Sequence, residues 1–165
     1  MTSDDKITEL FSEHADSLLR MCYIYLKDMA LAEDAVSETF MKAFRNLDKF
    51  NGFSSEKTWL TRIAINCCKS IYRSKHYREG YLELDELLPD KTNYFSKREE
   101  QITVSDEISK LPIKYRETII LYYYKELTTA EVAKVLRIPR TTVDYRLRFA
   151  KKKLKQTLKE CYFNE

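Results

Sequence analysis

The stretch TTAEVAKVLRIPRTTVDYRLRFAKKKL, residues 128–154, decides how the chain is interpreted. It opens with Thr128 and has Glu131 three residues later, which is the capping-box pattern that begins a helix. Pro139 then disfavours helix at the residue before it. One of the two threonines after Arg140 is expected to cap the next helix. We therefore predict two helices joined by a tight turn, a helix-turn-helix.

The second helix of this motif combines one apolar stripe with many cations. Its apolar positions are Val143, Leu147, Ala150 and Leu154. Early residues of a recognition helix meet base edges in the major groove, and flanking cations meet phosphates. The residues that we expect to contact DNA are Arg140, Thr141, Thr142, Tyr145, Arg146, Arg148 and Lys152. The alternative is a basic helical hairpin whose lysine face is only solvated.

The net charge of +3 over 165 residues conceals a strong segregation of charge. Residues 1–56 carry 6 basic and 11 acidic side chains, whereas residues 57–78 carry 6 basic and no acidic ones. Residues 79–103 have 3 basic and 7 acidic side chains, and residues 104–165 have 14 and 8. Two basic blocks separated by an acidic segment predict contact with a polyanion at two places.

The composition favours helices throughout. The chain has only 2 glycines, Gly52 and Gly80, which leaves no glycine-rich phosphate loop and few of the turns that sheets need. We predict an all-α fold of two small helical domains, residues 1–78 and 104–165. An acidic linker, residues 79–103, joins them, and the C-terminal domain contains the helix-turn-helix.

A helix is predicted from about Ala32 to Leu47. Its apolar face is formed by Ala35, Val36, Thr39, Phe40, Ala43, Phe44 and Leu47. Glu33, Asp34 and Glu38 begin the other face, where acidic side chains also suit the positive end of a helix dipole.

Residues 48–57 read as a loop that either exposes or buries Phe50 and Phe53. A helix over about 58–74 follows, with an apolar stripe at Leu60, Ile63, Ala64, Cys67 and Ile71. Its opposite stripe is polar, basic and free of acid: Arg62, Asn66, Lys69 and Arg73. A face that is merely solvated usually mixes glutamate with lysine, so this stripe favours a polyanion. Trp59 lies nearer the apolar stripe and is expected to pack.

Farther along, helices are predicted over about 103–110 and 112–125. The second opens with Pro112, at a position where a missing N–H costs nothing. Because Ile119, Ile120 and Tyr122–Tyr124 make it apolar nearly all round, we expect it to be the buried centre of a bundle.

Several other classes of protein are not supported. Cys22, Cys67, Cys68 and Cys161 lack the spacing of a zinc site or a disulfide framework. His14 and His76 are the only histidines and have no nucleophile, paired carboxylates or metal-ligand spacing around them, so we expect no enzyme, cofactor or metal. Neither a signal core nor a membrane-spanning run is present, which predicts a cytoplasmic protein.

Three motifs in order carry a resemblance to a known family. They are AEDAVSETF at residues 32–40 followed by Phe44, TWLTRIAIN at residues 58–66, and the segment from Leu111-Pro112 through the helix-turn-helix. Together they cover nearly the whole chain. The sequence resembles the bacterial RNA polymerase sigma factors of the sigma-70 family, extracytoplasmic-function (ECF) group.

The resemblance implies a role for each segment. Glu33, Asp34, Glu38 and Phe40 would dock on the β′ clamp of core RNA polymerase. The residues that would recognise and melt the −10 element and hold a flipped base are Phe53, Lys57, Arg62, Asn66, Lys69 and Arg73. The helix-turn-helix would read the −35 element as duplex DNA. The β subunit and an anti-sigma factor, often membrane-anchored, are further partners that the resemblance implies.

Two positions depart from the family pattern. Many members have a small residue before the Thr-Val pair of the recognition helix and a lysine after it, whereas this chain has Thr141 and Asp144. Asp144 is expected either to cap the helix or to accept a hydrogen bond from a cytosine amino group.

The competing hypothesis for the whole chain is a stand-alone helix-turn-helix regulator with an N-terminal sensor or dimerisation bundle.

Overall fold

A computed structural model of the chain describes residues 1–79 and 104–163. The regular elements in these ranges are all helical, so the predicted all-α class is confirmed. The chain divides into two units, Met1–Gly80 and Tyr81–Glu165. Apart from its first residue, the predicted linker lies outside the described residues. None of the helices in the described ranges is long and apolar enough to cross a lipid bilayer.

The N-terminal unit is a bundle of three long helices. They are α1 (Ser3–Leu26), α2 (Met29–Arg45) and α3 (Glu56–Glu79), with a 3₁₀ turn at Leu47–Lys49 after α2. Each of the three helices packs against the other two. Their shared core is apolar and excludes water, and it includes Leu18, Met21, Cys22, Ala32, Ala35, Leu60, Ala64 and Ile65.

A two-residue turn joins α1 to α2 and explains why α2 begins earlier than predicted. Lys27 takes the left-handed conformation (φ 57°), and its N–H donates to the Tyr23 carbonyl at 2.7 Å. The Asp28 carboxylate then accepts from the Leu31 N–H at 2.9 Å, which caps α2. Because this cap precedes the apolar periodicity, the pattern alone placed the start of α2 near Ala32.

Over residues 104–163, the described part of the C-terminal unit contains four helices and a π-helical turn. The helices are α4 (Val104–Lys110), α5 (Ile113–Ile119), α6 (Thr129–Leu136) and α7 (Arg140–Phe163). The long helix α7 packs against the other three. Its buried contacts come from Val143, Leu147 and Ala150, as the apolar stripe predicted.

Residues Ile120–Tyr124 form a π-helical turn, which corrects the prediction that the tyrosine run is buried. The Lys125 N–H donates to the Ile120 carbonyl five residues back, at 3.0 Å. The wider turn changes the phase of the helix, so Ile119 and Ile120 stay buried while Tyr123 is 50% exposed. The buried-centre prediction therefore holds for the isoleucines and is wrong for Tyr123 and Tyr124.

The first helix of the helix-turn-helix, α6, has a defined hydrogen-bonded start and a left-handed end. At the start of α6, the Glu131 N–H donates to Thr128 Oγ1 and the Thr128 N–H donates to Glu131 Oε1, both at 3.1 Å. The predicted capping box is confirmed. At its end, Arg137 adopts the left-handed conformation (φ 57°) that more often takes glycine.

The start of α7 differs from the prediction. The helix begins at Arg140, and the Pro139 carbonyl accepts from the N–H groups of Thr142 and Val143 at 3.0 and 3.2 Å. Thr141 and Thr142 therefore lie inside the first turn, and neither is the cap. Pro139 directly precedes the helix, where its missing N–H removes no hydrogen bond of the helix.

One fully buried cation organises the α4–α5 junction. Arg116 has an exposed fraction of 0%, and its Nε and Nη2 atoms both donate to the Leu111 carbonyl, at 3.2 and 3.0 Å. A charged group inside a small core is stable only with such partners. Arg116 thereby ties α5 to the turn that precedes it.

The three described cysteines, Cys22, Cys67 and Cys68, are free and buried in the N-terminal bundle. A hydrogen bond to Cys22, followed by burial, raises the pKa of the Cys68 thiol, and burial raises the pKa of Cys67. High thiol pKa values and burial both reduce reactivity, so these side chains act as small apolar packing groups.

We expect Thr128→Ala to destabilise α6 locally. Loss of the capping hydrogen bond costs about 1 kcal/mol. Amide hydrogen exchange over residues 132–136 should accelerate about fivefold, a factor that follows from that energy. Thr129→Ala, which removes the neighbouring hydroxyl outside the capping box, is the control. Equal protection in the two variants would contradict the role of Thr128.

Candidate nucleic-acid and polymerase interfaces

One outward stripe of α7 presents side chains to solvent. Thr141, Tyr145, Arg148 and Lys152 are all exposed and follow the spacing i, i+4, i+7 and i+11. That spacing places them on one side of the helix, because each residue advances about 100°. The buried Val143 and Leu147 lie on the other side. Of the predicted DNA-contact residues, these four share a face.

The other predicted DNA-contact residues do not lie on the outward stripe. Arg146 points toward α5, where its Nη1 lies 3.7 Å from Glu117 Oε1 and both side chains are largely buried. Arg140 is exposed at the first position of α7, and Thr142 is half-buried. Arg146 therefore contacts the domain core, a placement that its position in a basic helix did not indicate.

A second contact fixes the rotation of α7 beside that ion pair. The Tyr115 ring of α5 stacks on Phe149, with ring centroids 4.3 Å apart. Burial raises the pKa of Tyr115, and a hydrogen bond with Tyr145 adds to the shift. The Tyr145 side chain thus belongs to the outward stripe and is also held by α5.

The predicted basic stripe of α3 is present as a surface. Arg62, Asn66 and Arg73 are exposed, while Lys69 is half-buried and engaged in an interaction. Their spacing of 4, 3 and 4 residues keeps them within about 60° around the helix axis. The surface offers cationic groups together with one amide that both donates and accepts hydrogen bonds.

The loop before α3 separates its two aromatic residues. Phe50 packs on Trp59 with ring centroids 4.8 Å apart, so the predicted packing role of Trp59 is confirmed. Phe53 is 93% exposed. The chain reaches this position through Gly52, whose φ of 78° suits a residue without a Cβ. Phe53 thus stands as a free aromatic ring at the entrance to α3.

Lys57 lies in α3 rather than in the predicted loop. Ser55 ends the loop, since its Oγ accepts from the Thr58 N–H at 3.1 Å and its carbonyl accepts from the Trp59 N–H at 2.9 Å. The helix consequently begins at Glu56. The half-buried Lys57 occupies its first turn, beside the loop that carries Phe53.

The outward face of α2 combines acidic and apolar side chains. Glu33, Asp34 and Glu38 are exposed, and Glu38 forms an ion pair with Lys42 at 3.3 Å. Met41 and Phe44 are 54% and 45% exposed on the same helix.

Phe40 and Phe44 both belong to the predicted apolar face of α2 but lie in different environments. Phe40 was predicted to dock a partner, but it is only 7% exposed and its ring centroid lies 5.0 Å from that of Phe11. Phe44 was predicted to lie in the core and is exposed. The sequence analysis therefore missed Met41 and Phe44 as surface residues, because a run of apolar residues does not show where a buried face ends.

An apolar groove of about 780 Å³ lies within the C-terminal unit. Its walls come from α4, from the end of α5 with the π-helical turn, and from the second half of α7. Two lysines, Lys151 and Lys155, stand on its lining among apolar residues. The Lys151 ammonium lies 5.3 Å from the centre of the Tyr123 ring. This groove had no counterpart in the sequence analysis.

His14 has acidic neighbours that its sequence position did not reveal. Ligand atoms of Glu13, His14 and Glu56 lie within 4.8 Å of one another. The Lys6 ammonium, however, lies 2.7 Å from Glu56 Oε1 and neutralises that carboxylate. The cluster is explained as an ion-pair contact between α1 and the start of α3.

Each of the two units matches the model of a known protein family. Residues 10–78 match Sigma-70 region 2, and residues 102–154 match Sigma-70, region 4. These two segments contain the basic stripe of α3 and the outward stripe of α7, respectively.

Curated relatives match over nearly their full length. The ECF RNA polymerase sigma factor SigW of Bacillus subtilis is 30% identical, covering 94% of this chain and 90% of the relative. The ECF RNA polymerase sigma factor SigL of Mycobacterium tuberculosis is also 30% identical, covering 92% and 88%.

Solved structures share the fold. The sigma factor RpoE of Bartonella quintana, in complex with the anti-sigma factor NepR, has a TM-score of 0.69 and 24% identity over 92% of this chain and 97% of that one. CnrH, in complex with the cytosolic domain of CnrY, has a TM-score of 0.67 and 23% identity over 94% and 88%. The chain therefore belongs to the extracytoplasmic-function group of the sigma-70 RNA polymerase sigma factors.

Proposed function

We propose that this sigma factor reads promoter DNA with two surfaces, the outward stripe of α7 for the −35 element and the stripe of α3 for the −10 element. The observation that carries the proposal is that each unit exposes a cationic face on a helix whose opposite face is buried. A helix held in this way presents its side chains in a fixed arrangement to a polyanion.

The −35 element is duplex DNA, which suits α7. An exposed helix enters the major groove, where its early residues meet bases and its later cations meet phosphates. Thr141, Tyr145 and Arg148 occupy the early part of the outward stripe, and Lys152 follows one turn later. The ion pair between Arg146 and Glu117 and the contact of Tyr145 with Tyr115 support the stripe from α5.

The −10 element must be melted, which suits α3 and its loop. Flipping a base out of the duplex costs a few kcal/mol. Stacking on an aromatic ring offsets this cost by about 1–3 kcal/mol per base. Phe53 supplies an exposed ring, Asn66 supplies both hydrogen-bond donor and acceptor groups, and Arg62 and Arg73 supply positive charge.

We further propose that the outward face of α2 docks on the β′ clamp of core RNA polymerase. Asp34 and Glu38 suit a basic partner, and the exposed Met41 and Phe44 supply the apolar centre that protein interfaces require. Phe40 then supports the surface from below through its contact with Phe11.

The groove of the C-terminal unit is the surface that we assign to an apolar segment of the β subunit. The residues of α7 in its lining, such as Leu154 and Leu158, are not those of the outward stripe. One domain can therefore hold DNA and polymerase at the same time.

We also propose control by an anti-sigma factor. The two structural neighbours named above were solved in complexes of this type, or with a cytosolic domain of a partner. An inhibitor that covers the α2 face would exclude polymerase directly. A membrane anchor on that inhibitor remains a prediction of the family resemblance alone.

We assign this protein to the cytoplasm, where core polymerase acts, and assign it no catalytic reaction of its own.

Reconstituted transcription separates this proposal from a stand-alone regulator. Core polymerase lacking any other sigma factor, mixed with the full chain, should start transcripts at discrete promoters that core polymerase alone ignores. A regulator would bind an operator tightly and add no start sites. Discrete starts in cells after overexpression should coincide with those obtained in vitro.

Asn66→Ala is expected to slow promoter opening more than it weakens closed-complex binding. The amide contacts a base only after unpairing, so its loss leaves the cost of flipping less well offset. Permanganate reactivity on duplex promoters should rise more slowly, and a pre-melted template should restore transcription. Ser74→Ala, an exposed change off the stripe of α3, is the control. Equal defects on duplex and pre-melted templates would contradict the role of Asn66.

Arg148→Ala and Arg146→Ala are expected to fail in different ways. Arg148 lies on the outward stripe, so its loss should weaken binding to the −35 duplex by about 1–3 kcal/mol if it contacts a base. If it contacts a phosphate, the salt slope of binding should fall by about one unit instead. Arg146→Ala should lower the thermal stability of the C-terminal unit, because the nearly buried Glu117 loses a partner. Unchanged affinity and salt slope in Arg148→Ala would remove that residue from the interface.

A further inference from the structure

Asp144 carries a charge opposite to that of its charged neighbours in residues 140–158 of α7. Residues 140–158 contain seven lysines and arginines, and Asp144 is their sole acidic residue. Its side chain is exposed and lies about 60° from Thr141 and about 40° from Arg148 around the helix axis. A carboxylate beside the outward stripe meets phosphate repulsion when DNA binds, and a hydrogen-bond donor on a base would offset that cost.

The structure excludes helix capping as the role of Asp144. A capping side chain precedes the helix and accepts from the N–H groups of its first turn. In α7 the Pro139 carbonyl already accepts from the N–H groups of Thr142 and Val143, and Asp144 is the fifth residue of the helix. The favourable effect of a helix dipole on a carboxylate also fades beyond the first turn.

An intrahelical ion pair is not the role either. Arg140 and Arg148 lie four residues before and after Asp144, a spacing at which opposite charges can meet. Within residues 1–79 and 104–163, however, the Asp144 carboxylate forms no ion pair or hydrogen bond. It is therefore available to an external donor.

The edges of the bases limit which donor this can be. In the major groove only cytosine N4 and adenine N6 offer amino groups, whereas guanine and thymine present acceptors that repel a carboxylate. Adenine also carries the acceptor N7 beside N6, while cytosine has no acceptor next to N4. We infer that Asp144 accepts a hydrogen bond from the N4 amino group of a cytosine and so specifies a C·G pair in the −35 element. This inference rests on the proposed function of α7.

A promoter library tests the inference. The −35 positions are randomised while the −10 element is kept, and barcoded transcripts are counted with holoenzyme containing the full chain. Wild type should prefer cytosine about tenfold at one position, a typical discrimination for a good base contact. Asp144→Asn should shift that preference to adenine, because an amide pairs with both N6 and N7. Asp144→Ala should discriminate little there.

Glu126→Asn is the matched control. Glu126 is exposed, lies outside α7 and has φ 57°, a conformation that asparagine tolerates. It removes the same charge and should leave the base preference unchanged. Circular dichroism of each variant verifies folding.

Two results would overturn the inference alone. One is an identical base preference in wild type, Asp144→Asn and Asp144→Ala. The other is an equal gain of affinity for all sequences in Asp144→Ala, which would limit Asp144 to general repulsion. A wild-type holoenzyme that starts no promoter-specific transcripts would overturn the proposed function as well.

Discussion

Burial of one face of a long helix is the constraint on which the C-terminal unit depends. The apolar stripe of α7, formed by Val143, Leu147 and Ala150, supplies packing against α4, α5 and α6. A unit of this size has little other apolar surface to bury, so the orientation of α7 cannot change without losing the core. The opposite face is then necessarily directed to solvent. The surface that we propose for DNA recognition therefore has a direction that is set by folding itself.

The same constraint applies to α3, with a different result. Its buried side is wider, since Leu60, Ala64, Ile65 and Cys68 are all fully enclosed by α1 and α2. The remaining exposed strip is narrow and holds Arg62, Asn66 and Arg73. A narrow strip cannot surround a duplex, but it is sufficient for a single strand together with an aromatic ring from the adjacent loop. The difference in burial between α3 and α7 thus parallels the proposed difference between their targets, melted DNA for α3 and duplex DNA for α7.

Interactions between residues close in the chain could be predicted from the sequence, and interactions between distant residues could not. Capping and periodicity are local, so the capping box of Thr128 and the buried stripe of α7 were predicted correctly. The ion pair of Arg146 with Glu117 joins residues far apart in the chain, and no local pattern in a basic helix distinguishes that arginine from Arg148. The exposure of Phe44 has the same origin, because the edge of the buried face of α2 depends on where the neighbouring helix α1 lies. The π-helical turn has no local signal in the sequence, and it changes the phase of the helix so that Tyr123 is exposed.

Charge segregation provides a physical reason for polymerase to control DNA binding. The net charge of +3 gives the free chain little long-range attraction to DNA, since its acidic segments oppose its basic ones. Residues 1–56 carry a net charge of −5, and they include the acidic face of α2. When a basic partner surface neutralises that face, the repulsion between α2 and phosphate falls while the stripes of α3 and α7 keep their charge. If α2 docks on polymerase as proposed, the affinity of the same chain for DNA increases without any change in the residues that contact it.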